Sequence, residues 1–96
     1  MVQITWAKRA ITDLDSIGKY IGRDSEYEAQ KFVQELIKKA DSLINYPEKG
    51  RPIPEKIPGN YRQILYKNYR IIYKLDRGKI TVSSVYHQKK LLFKLD

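Results

Sequence analysis

The sequence predicts an α+β fold in which an antiparallel helical hairpin packs on one face of a mainly antiparallel sheet, in the order β-α-α-β-β-β. Two stretches with apolar residues at the helical period of about 3.6 come first. Three runs rich in β-branched and aromatic residues follow at 61–66, 69–75 and 79–87, with turn-forming residues between them. Each apolar stripe covers only one side of its helix, so both helices need a surface to cover. The opposite face of the sheet is expected to be available to a ligand.

A change in the spacing of apolar residues predicts where the first strand ends and the first helix begins. Residues 1–5 alternate weakly and predict a short strand. From about Trp6, which we expect to pack between helix and sheet, apolar residues recur at helical spacing. Gly22 is predicted to end this helix in the left-handed conformation.

The second helix has the strongest signal in the chain. Ser25 and Glu28 match a capping box, in which serine and glutamate side chains satisfy exposed N–H groups at a helix start. One continuous apolar face follows, formed by Ala29, Phe32, Val33, Leu36, Ile37, Ala40, Leu43 and Ile44. Residues 45–47 are predicted to end the helix.

Length and composition set the class of protein. Ninety-six residues predict a single domain, 1–96. The chain has no cysteine and one histidine, which excludes disulfides and an ordinary zinc site, so we expect neither metal nor cofactor. It has no apolar run near the roughly 18 residues of a membrane span and no signal-peptide core, so we expect a cytoplasmic protein with no membrane partner.

The net charge of +8 is distributed unevenly. Residues 1–48 carry seven Lys and Arg against eight Asp and Glu, whereas residues 49–96 carry twelve against three. A field of one sign over the sheet half favours nucleic acid, a nucleoprotein or an acidic protein partner, although a basic surface can also serve solubility. The cations that we assign to nucleic-acid contact are Arg51, Lys56, Lys67, Lys74, Lys89 and Lys90.

Tyrosine is abundant, with eight residues, five of them in the sheet half. Tyrosine rings stack on nucleobases, but tyrosine also favours strands for its own packing. Both interpretations of these rings stay open at this point.

One group of side chains has the composition of a metal-independent nuclease. His87 is the chain's one side chain suited to proton transfer near neutral pH. Alternation along the strands suggests that Arg62, Arg70 and His87 share one face of the sheet, with Glu55 on the loop beside them. Glu55 as base, His87 as acid and the two arginines as phosphate clamps are the parts that attack by an RNA 2′-hydroxyl requires. The alternative is that the histidine and arginines are structural.

An ordered set of short motifs runs over essentially the whole chain. The set comprises Ala10-x-x-x-Leu14-x-x-Ile17-x-x-Tyr20-Ile21, Ala29-Gln30, Pro47-x-x-Gly50-Arg51, Pro54-Glu55, Tyr61-Arg62, Tyr69-Arg70-Ile71-Ile72-Tyr73 and Val85-Tyr86-His87. It resembles the RelE/ParE superfamily of toxins from bacterial type II toxin–antitoxin modules. The resemblance implies the same strand, hairpin and sheet order, and a cognate antitoxin that wraps the toxin with a partly disordered segment.

The superfamily implies two activities. RelE-like members cut mRNA in the ribosomal A site, and Glu55, Arg62, Arg70 and His87 resemble their catalytic positions, although Gln88 replaces the tyrosine that follows the histidine. ParE-like members poison DNA gyrase without nuclease chemistry, and residues 88–90 depart from their usual arginine-bearing motif. We favour mRNA cleavage at this stage because acid, base and cations are all present. Gyrase inhibition and a basic binding domain that has lost toxicity are the alternatives.

Overall fold

The protein has two helices and five strands in the computed structural model, which describes residues 2–89. The elements are β1 (Gln3–Trp6), α1 (Lys8–Gly22), α2 (Glu26–Asp41), a 3₁₀ turn (Ser42–Ile44), β2 (Arg51–Pro52), β3 (Tyr61–Tyr66), β4 (Tyr69–Asp76) and β5 (Lys79–His87). The predicted order of strands and helices is confirmed, and β2 is a short addition that the sequence did not indicate. Within residues 2–89, no helix is long and apolar enough to cross a membrane.

The five strands form one sheet in the order β1-β5-β4-β3-β2. The first strand runs parallel to β5, and every other neighbouring pair is antiparallel. The long strands β4 and β5 therefore lie in the centre, and the shortest strands lie at the two edges. Short edge strands leave few unpaired backbone groups for unwanted pairing with another chain.

The connection between the helices differs from the prediction at Gly22. This residue is not in the left-handed region, and Arg23 after it has helical angles of φ −59° and ψ −35°. The N–H groups of Asp24 and Ser25 both donate to the Ile21 carbonyl oxygen, so right-handed turns lead directly into α2. Ser25 Oγ accepts a hydrogen bond from Glu28 N at 3.2 Å, which confirms the serine half of the capping box.

The core lies between the helical hairpin and one face of the sheet. Leu36, Ala40 and Leu43 come from the helical side, and Ile71 and Tyr73 come from β4, all of them fully buried. Burial of each large side chain contributes about 2 kcal/mol to folding. Trp6 packs against the same cluster, as expected.

The other face of the sheet is closed at its centre, which corrects the prediction that this face as a whole is available to a ligand. Ile72 and Ser84 lie opposite each other at its centre, and both are fully buried. Arg70 is on the same face and is 5% exposed. Glu55, in the segment between β2 and β3, crosses over this face to pair with Arg70. This ion pair therefore anchors the segment between β2 and β3 to the sheet.

Candidate functional site

Arg70 and Glu55 form a nearly buried ion pair. Arg70 Nη1 donates to Glu55 Oε1 at 2.9 Å, and Nη2 donates to Oε2. The side chains are 6% and 14% exposed, and Gln63 Oε1 accepts a further bond from Nη1 at 3.1 Å. Two parallel bonds between a guanidinium and a carboxylate are strong and specific. Both oxygens of Glu55 therefore accept a hydrogen bond from Arg70, which fixes the position of this carboxylate over the sheet.

Arg62 lies on the helix-covered face and binds a loop instead of a carboxylate. Its Nη1 donates to the Gly50 carbonyl oxygen at 2.8 Å and to the Glu48 carbonyl oxygen at 3.4 Å. The hydroxyl of Tyr73 donates to the Pro47 carbonyl oxygen at 2.8 Å and accepts from Gly50 N at 2.9 Å. Burial raises the pKa of this hydroxyl. Arg62 and Tyr73 together fix the loop of residues 47–50.

His87 lies at the end of β5, on the opposite face of the sheet from Arg70. It is paired with Tyr69, and the two rings meet edge to face with centroids 5.4 Å apart. Its Nδ1 accepts a hydrogen bond from Lys89 N at 3.2 Å. The ring contributes to a cavity of about 470 Å³, which we call the aromatic pocket. The pocket is lined by Tyr20, Ile21, Phe32, Lys67, Asn68, Tyr69 and His87.

The prediction that Arg62, Arg70 and His87 share one face is therefore wrong. The first reason is the two-residue turn between β3 and β4. It places Tyr66 opposite Tyr69, so even-numbered residues of β3 share a face with odd-numbered residues of β4. Arg62 consequently lies opposite Tyr73 on the helix-covered face, and Arg70 lies on the other.

The second reason is a β-bulge in β5. Ile72 pairs with Ser84 but Tyr73 pairs with Val82, so Ser83 is an extra residue on that strand. Regular pairing from the β4–β5 turn would have put His87 on the face of Arg70. The extra residue moves it to the face of Tyr69. Asp13 Oδ2 of α1 accepts a hydrogen bond from Val85 N at 3.0 Å just after the bulge, which holds the shifted register.

The cations assigned to nucleic acid do not form one stripe. Arg51 and Lys74 belong to strand positions on the face of Arg70, and Lys74 Nζ lies 5.8 Å from the centre of the Tyr61 ring. Lys67 instead lies at the aromatic pocket. The side chains of Lys56 and Lys89 are exposed, and Lys90 lies outside the described residues.

A larger cleft lies at the opposite end of the sheet from His87. It has a volume of about 1270 Å³ and includes Lys49, Arg62 and Arg77 together with Glu48 and Asp76. The charges of its walls are mixed, with three cations against two carboxylates. In the part of the chain that the structure describes, no group of three or more His, Cys, Asp and Glu side chains could hold a metal ion.

One contact near the aromatic pocket was not predicted. The Tyr66 hydroxyl donates a hydrogen bond to Glu35 Oε2, from β3 to α2. This bond raises the pKa of Tyr66 to about 12 and lowers the pKa of the Glu35 carboxyl. The two residues are 31 positions apart, so no local pattern joins them. Only the packing of the helix on the sheet brings them together.

Tyr66→Phe is expected to raise the pKa of Glu35 toward the ordinary 4.5, because the bond that favours the carboxylate is lost. The substitution should also change how the free energy of unfolding depends on pH in the alkaline range. Since folding raises the pKa of Tyr66, its contribution is complete below pH 10.0 and is lost as the pH rises through about 12. Carbon-detected NMR titration and alkaline urea unfolding measure the two effects. Tyr27→Phe, an exposed change, is the control, and an unchanged Glu35 titration in Tyr66→Phe would contradict the contact.

Comparison with known proteins places this chain in a family. The family described as "ParE toxin of type II toxin-antitoxin system, parDE" matches residues 4–92. The chain is 47% identical over 51 residues to "Toxin RelE2" of Caulobacter vibrioides, which covers 53% of this chain and 58% of that protein. It therefore spans little more than half the length of this relative.

Two solved structures have the same fold. A toxin–antitoxin protein described as "Chromosomal ParDE TA system from P. aeruginosa" superposes with a TM-score of 0.77 at 21% identity, covering 91% of this chain and 96% of the other. A chain of the YoeB–YefM toxin–antitoxin complex of Staphylococcus aureus gives a TM-score of 0.54 at 22% identity, covering 91% and 97%. These likenesses concern the fold alone, whereas the family match extends over nearly the whole sequence. The chain belongs to the ParE toxin family of type II toxin–antitoxin systems, within the RelE/ParE superfamily.

Proposed function

We propose that this chain is the toxin of a type II toxin–antitoxin module and that it inhibits DNA gyrase by binding, without cutting RNA. Membership in the ParE toxin family supports the first part. The second part extends to this chain the activity that the resemblance implied for ParE-like members. We thus prefer gyrase inhibition to the mRNA cleavage that the sequence favoured, and the reason is geometric.

The observation that carries the proposal is the separation of the nuclease group. Cleavage by a 2′-hydroxyl requires base, acid and cationic clamps within hydrogen-bond reach of one phosphodiester. Arg70 and Glu55 lie on one face of the sheet and are bound to each other, whereas Arg62 and His87 lie on the other face. Arg62 is also committed to the loop carbonyl oxygens. This arrangement supports a toxin that acts through its surface.

The partner that we propose for neutralisation is a cognate antitoxin with an acidic, partly disordered segment. The excess of cations in residues 49–96 provides a surface for such a segment to bind. The likeness to a protein from a chromosomal ParDE system is consistent with it. Attraction between opposite charges would speed the association and make it depend on salt.

Inhibition of gyrase supercoiling is the expected result of the direct test. Purified toxin is titrated into gyrase and relaxed plasmid, and the supercoiled product is measured on gels. Since a basic protein can also coat DNA, relaxation by a type I topoisomerase under the same conditions is the control, and it should be unaffected. Messenger RNA in a translation extract should stay intact at the same toxin concentration.

Three outcomes would overturn this proposal. Messenger RNA cleavage that His87→Ala abolishes would restore the nuclease hypothesis, with a rearrangement that brings the separated groups together. Absence of effect on gyrase, on mRNA and on growth after induction would indicate a basic binding domain without toxicity. A gyrase effect matched by an equal effect on the type I enzyme would mean coating of DNA.

A further inference from the structure

We propose that the aromatic pocket is a nucleotide-binding site, in which a nucleobase stacks on the exposed tyrosine ring and its phosphate meets the basic rim. This site is separate from the Arg70–Glu55 pair and does not depend on gyrase inhibition. Its ligand would be a 5′-nucleotide, either free or as part of a single strand. The argument rests on the rings, the polar groups and the charges at this end of the sheet.

The walls of the pocket are aromatic rings in fixed contact. Phe32 meets Tyr69 edge to face with centroids 5.6 Å apart, and Tyr69 meets His87 in the same way at 5.4 Å. Tyr20, at the other wall, is 65% exposed, so its ring has a free surface. The pocket volume of about 470 Å³ falls within the range of small-ligand sites. Stacking on such rings is how single-stranded nucleic acids are commonly held.

Polar groups at the pocket match the edge of a base. Asn68 lines the pocket, and its amide can donate and accept at once, as pairing with a base edge requires. His87 Nδ1 accepts a bond from Lys89 N, so the neutral ring carries its proton on Nε2 and has a donor to offer. A purely apolar pocket would suit an aliphatic side chain, whereas rings combined with an amide and an imidazole suit a base.

The charges around the pocket favour an anion. Lys67 lies in the wall, Arg23 lies 5.7 Å from the centre of the Tyr20 ring, and Lys31 is near enough to act on the Glu35 carboxylate. Glu35 is the one carboxylate that these described contacts include; it accepts a hydrogen bond from the Tyr66 hydroxyl, and its Oε2 lies 4.0 Å from Lys67 Nζ. Three cations against this one carboxylate still leave a net positive rim, which a nucleotide phosphate would complement.

The turn that holds Lys67 supports the same conclusion. Lys67 has a φ of 52°, a conformation that favours glycine or asparagine and is strained for other residues. Its Nζ lies 5.6 Å from the centre of the Phe32 ring and 5.4 Å from that of Tyr66. The strained backbone thus puts an ammonium group beside the ring cluster. A phosphate bound in the pocket would interact with this ammonium group.

The test is binding of 5′-AMP, followed by calorimetry and by the NMR signals of His87, which are unambiguous because the chain has one histidine. A fluorescent single-stranded oligoadenylate is the second ligand. We expect saturable binding and shifted His87 ring signals. Tyr20→Ala should weaken binding about tenfold through lost stacking, and Lys67→Gln should weaken it while leaving base contacts intact. Binding of AMP identifies a free-nucleotide site, and binding of the oligomer alone identifies a strand site.

Matched variants keep the test specific. Tyr27→Ala removes another tyrosine of the helical hairpin, 71% exposed, and Lys8→Gln removes another exposed lysine; neither lines the pocket, and both should bind as wild type. Circular dichroism confirms the fold of each variant. Absence of binding by both ligands at millimolar concentration would overturn the proposal. Oligomer binding that Tyr20→Ala and Lys67→Gln leave unchanged would overturn it too, because the basic surface alone would then explain it.

Discussion

Replacing Glu55 by alanine is expected to lower the free energy of unfolding by about 3 kcal/mol, because it leaves the nearly buried Arg70 guanidinium without its carboxylate. Removal of one partner of a buried ion pair costs more than the pair contributes, since the remaining charge still lacks hydration. Urea unfolding at neutral pH measures the change. Glu48→Ala, at an exposed carboxylate, is the control and should change stability little.

The double variant Glu55→Ala/Arg70→Met separates charge from packing. With the guanidinium removed as well, no unpaired charge stays buried, so most of the lost stability should return. A double variant as unstable as Glu55→Ala alone would show that packing by these side chains matters more than their charges. If Glu55→Ala were as stable as wild type, Glu55 would not be anchored over this face in solution. That outcome would reopen the face to a ligand.

Replacing Gly50 by alanine is expected to cost about 3 kcal/mol as well, for a steric reason. An added Cβ would lie 2.5 Å from the Tyr73 hydroxyl oxygen and 2.8 Å from the Gln63 carbonyl oxygen. Tyr73 is fully buried and Gln63 O belongs to the backbone, so neither can move cheaply. The bonds from the Tyr73 hydroxyl to Pro47 and Gly50 would be strained. Thermal unfolding should show a midpoint lower by about 15 °C.

Two other glycines serve as controls for Gly50→Ala. At Gly22 an added Cβ would lie 3.7 Å from the Ala29 Cβ, an ordinary contact, so Gly22→Ala should be neutral or slightly stabilising. Gly78 has a φ of 75° and no neighbour within 4 Å, so Gly78→Ala should cost about 1 kcal/mol through backbone strain alone. A Gly50→Ala cost no larger than that of Gly78→Ala would contradict the steric explanation.

These contacts explain why the pattern of residues alone misjudged the site. A two-residue turn exchanges odd and even positions between neighbouring strands, which separates Arg62 from Arg70. The bulge at Ser83 reverses the remaining part of β5 and carries His87 away from Arg70. Asp13, which bonds to Val85 N, comes from a helix 72 positions earlier, so no local signal marks the bulge.

The sequence by itself determined the order of the two helices and the main strands, most of the apolar helix faces and the positions of the three long strands. It could do so because helix and strand periods, caps and turns depend on residues only a few positions apart. Its motifs were also sufficient for the family. The tertiary structure alone decided which strand faces meet, the burial of the Glu55–Arg70 pair and the assembly of the aromatic pocket. Those features depend on register and on contacts between distant residues, and a shift of one residue turns every following side chain to the opposite face.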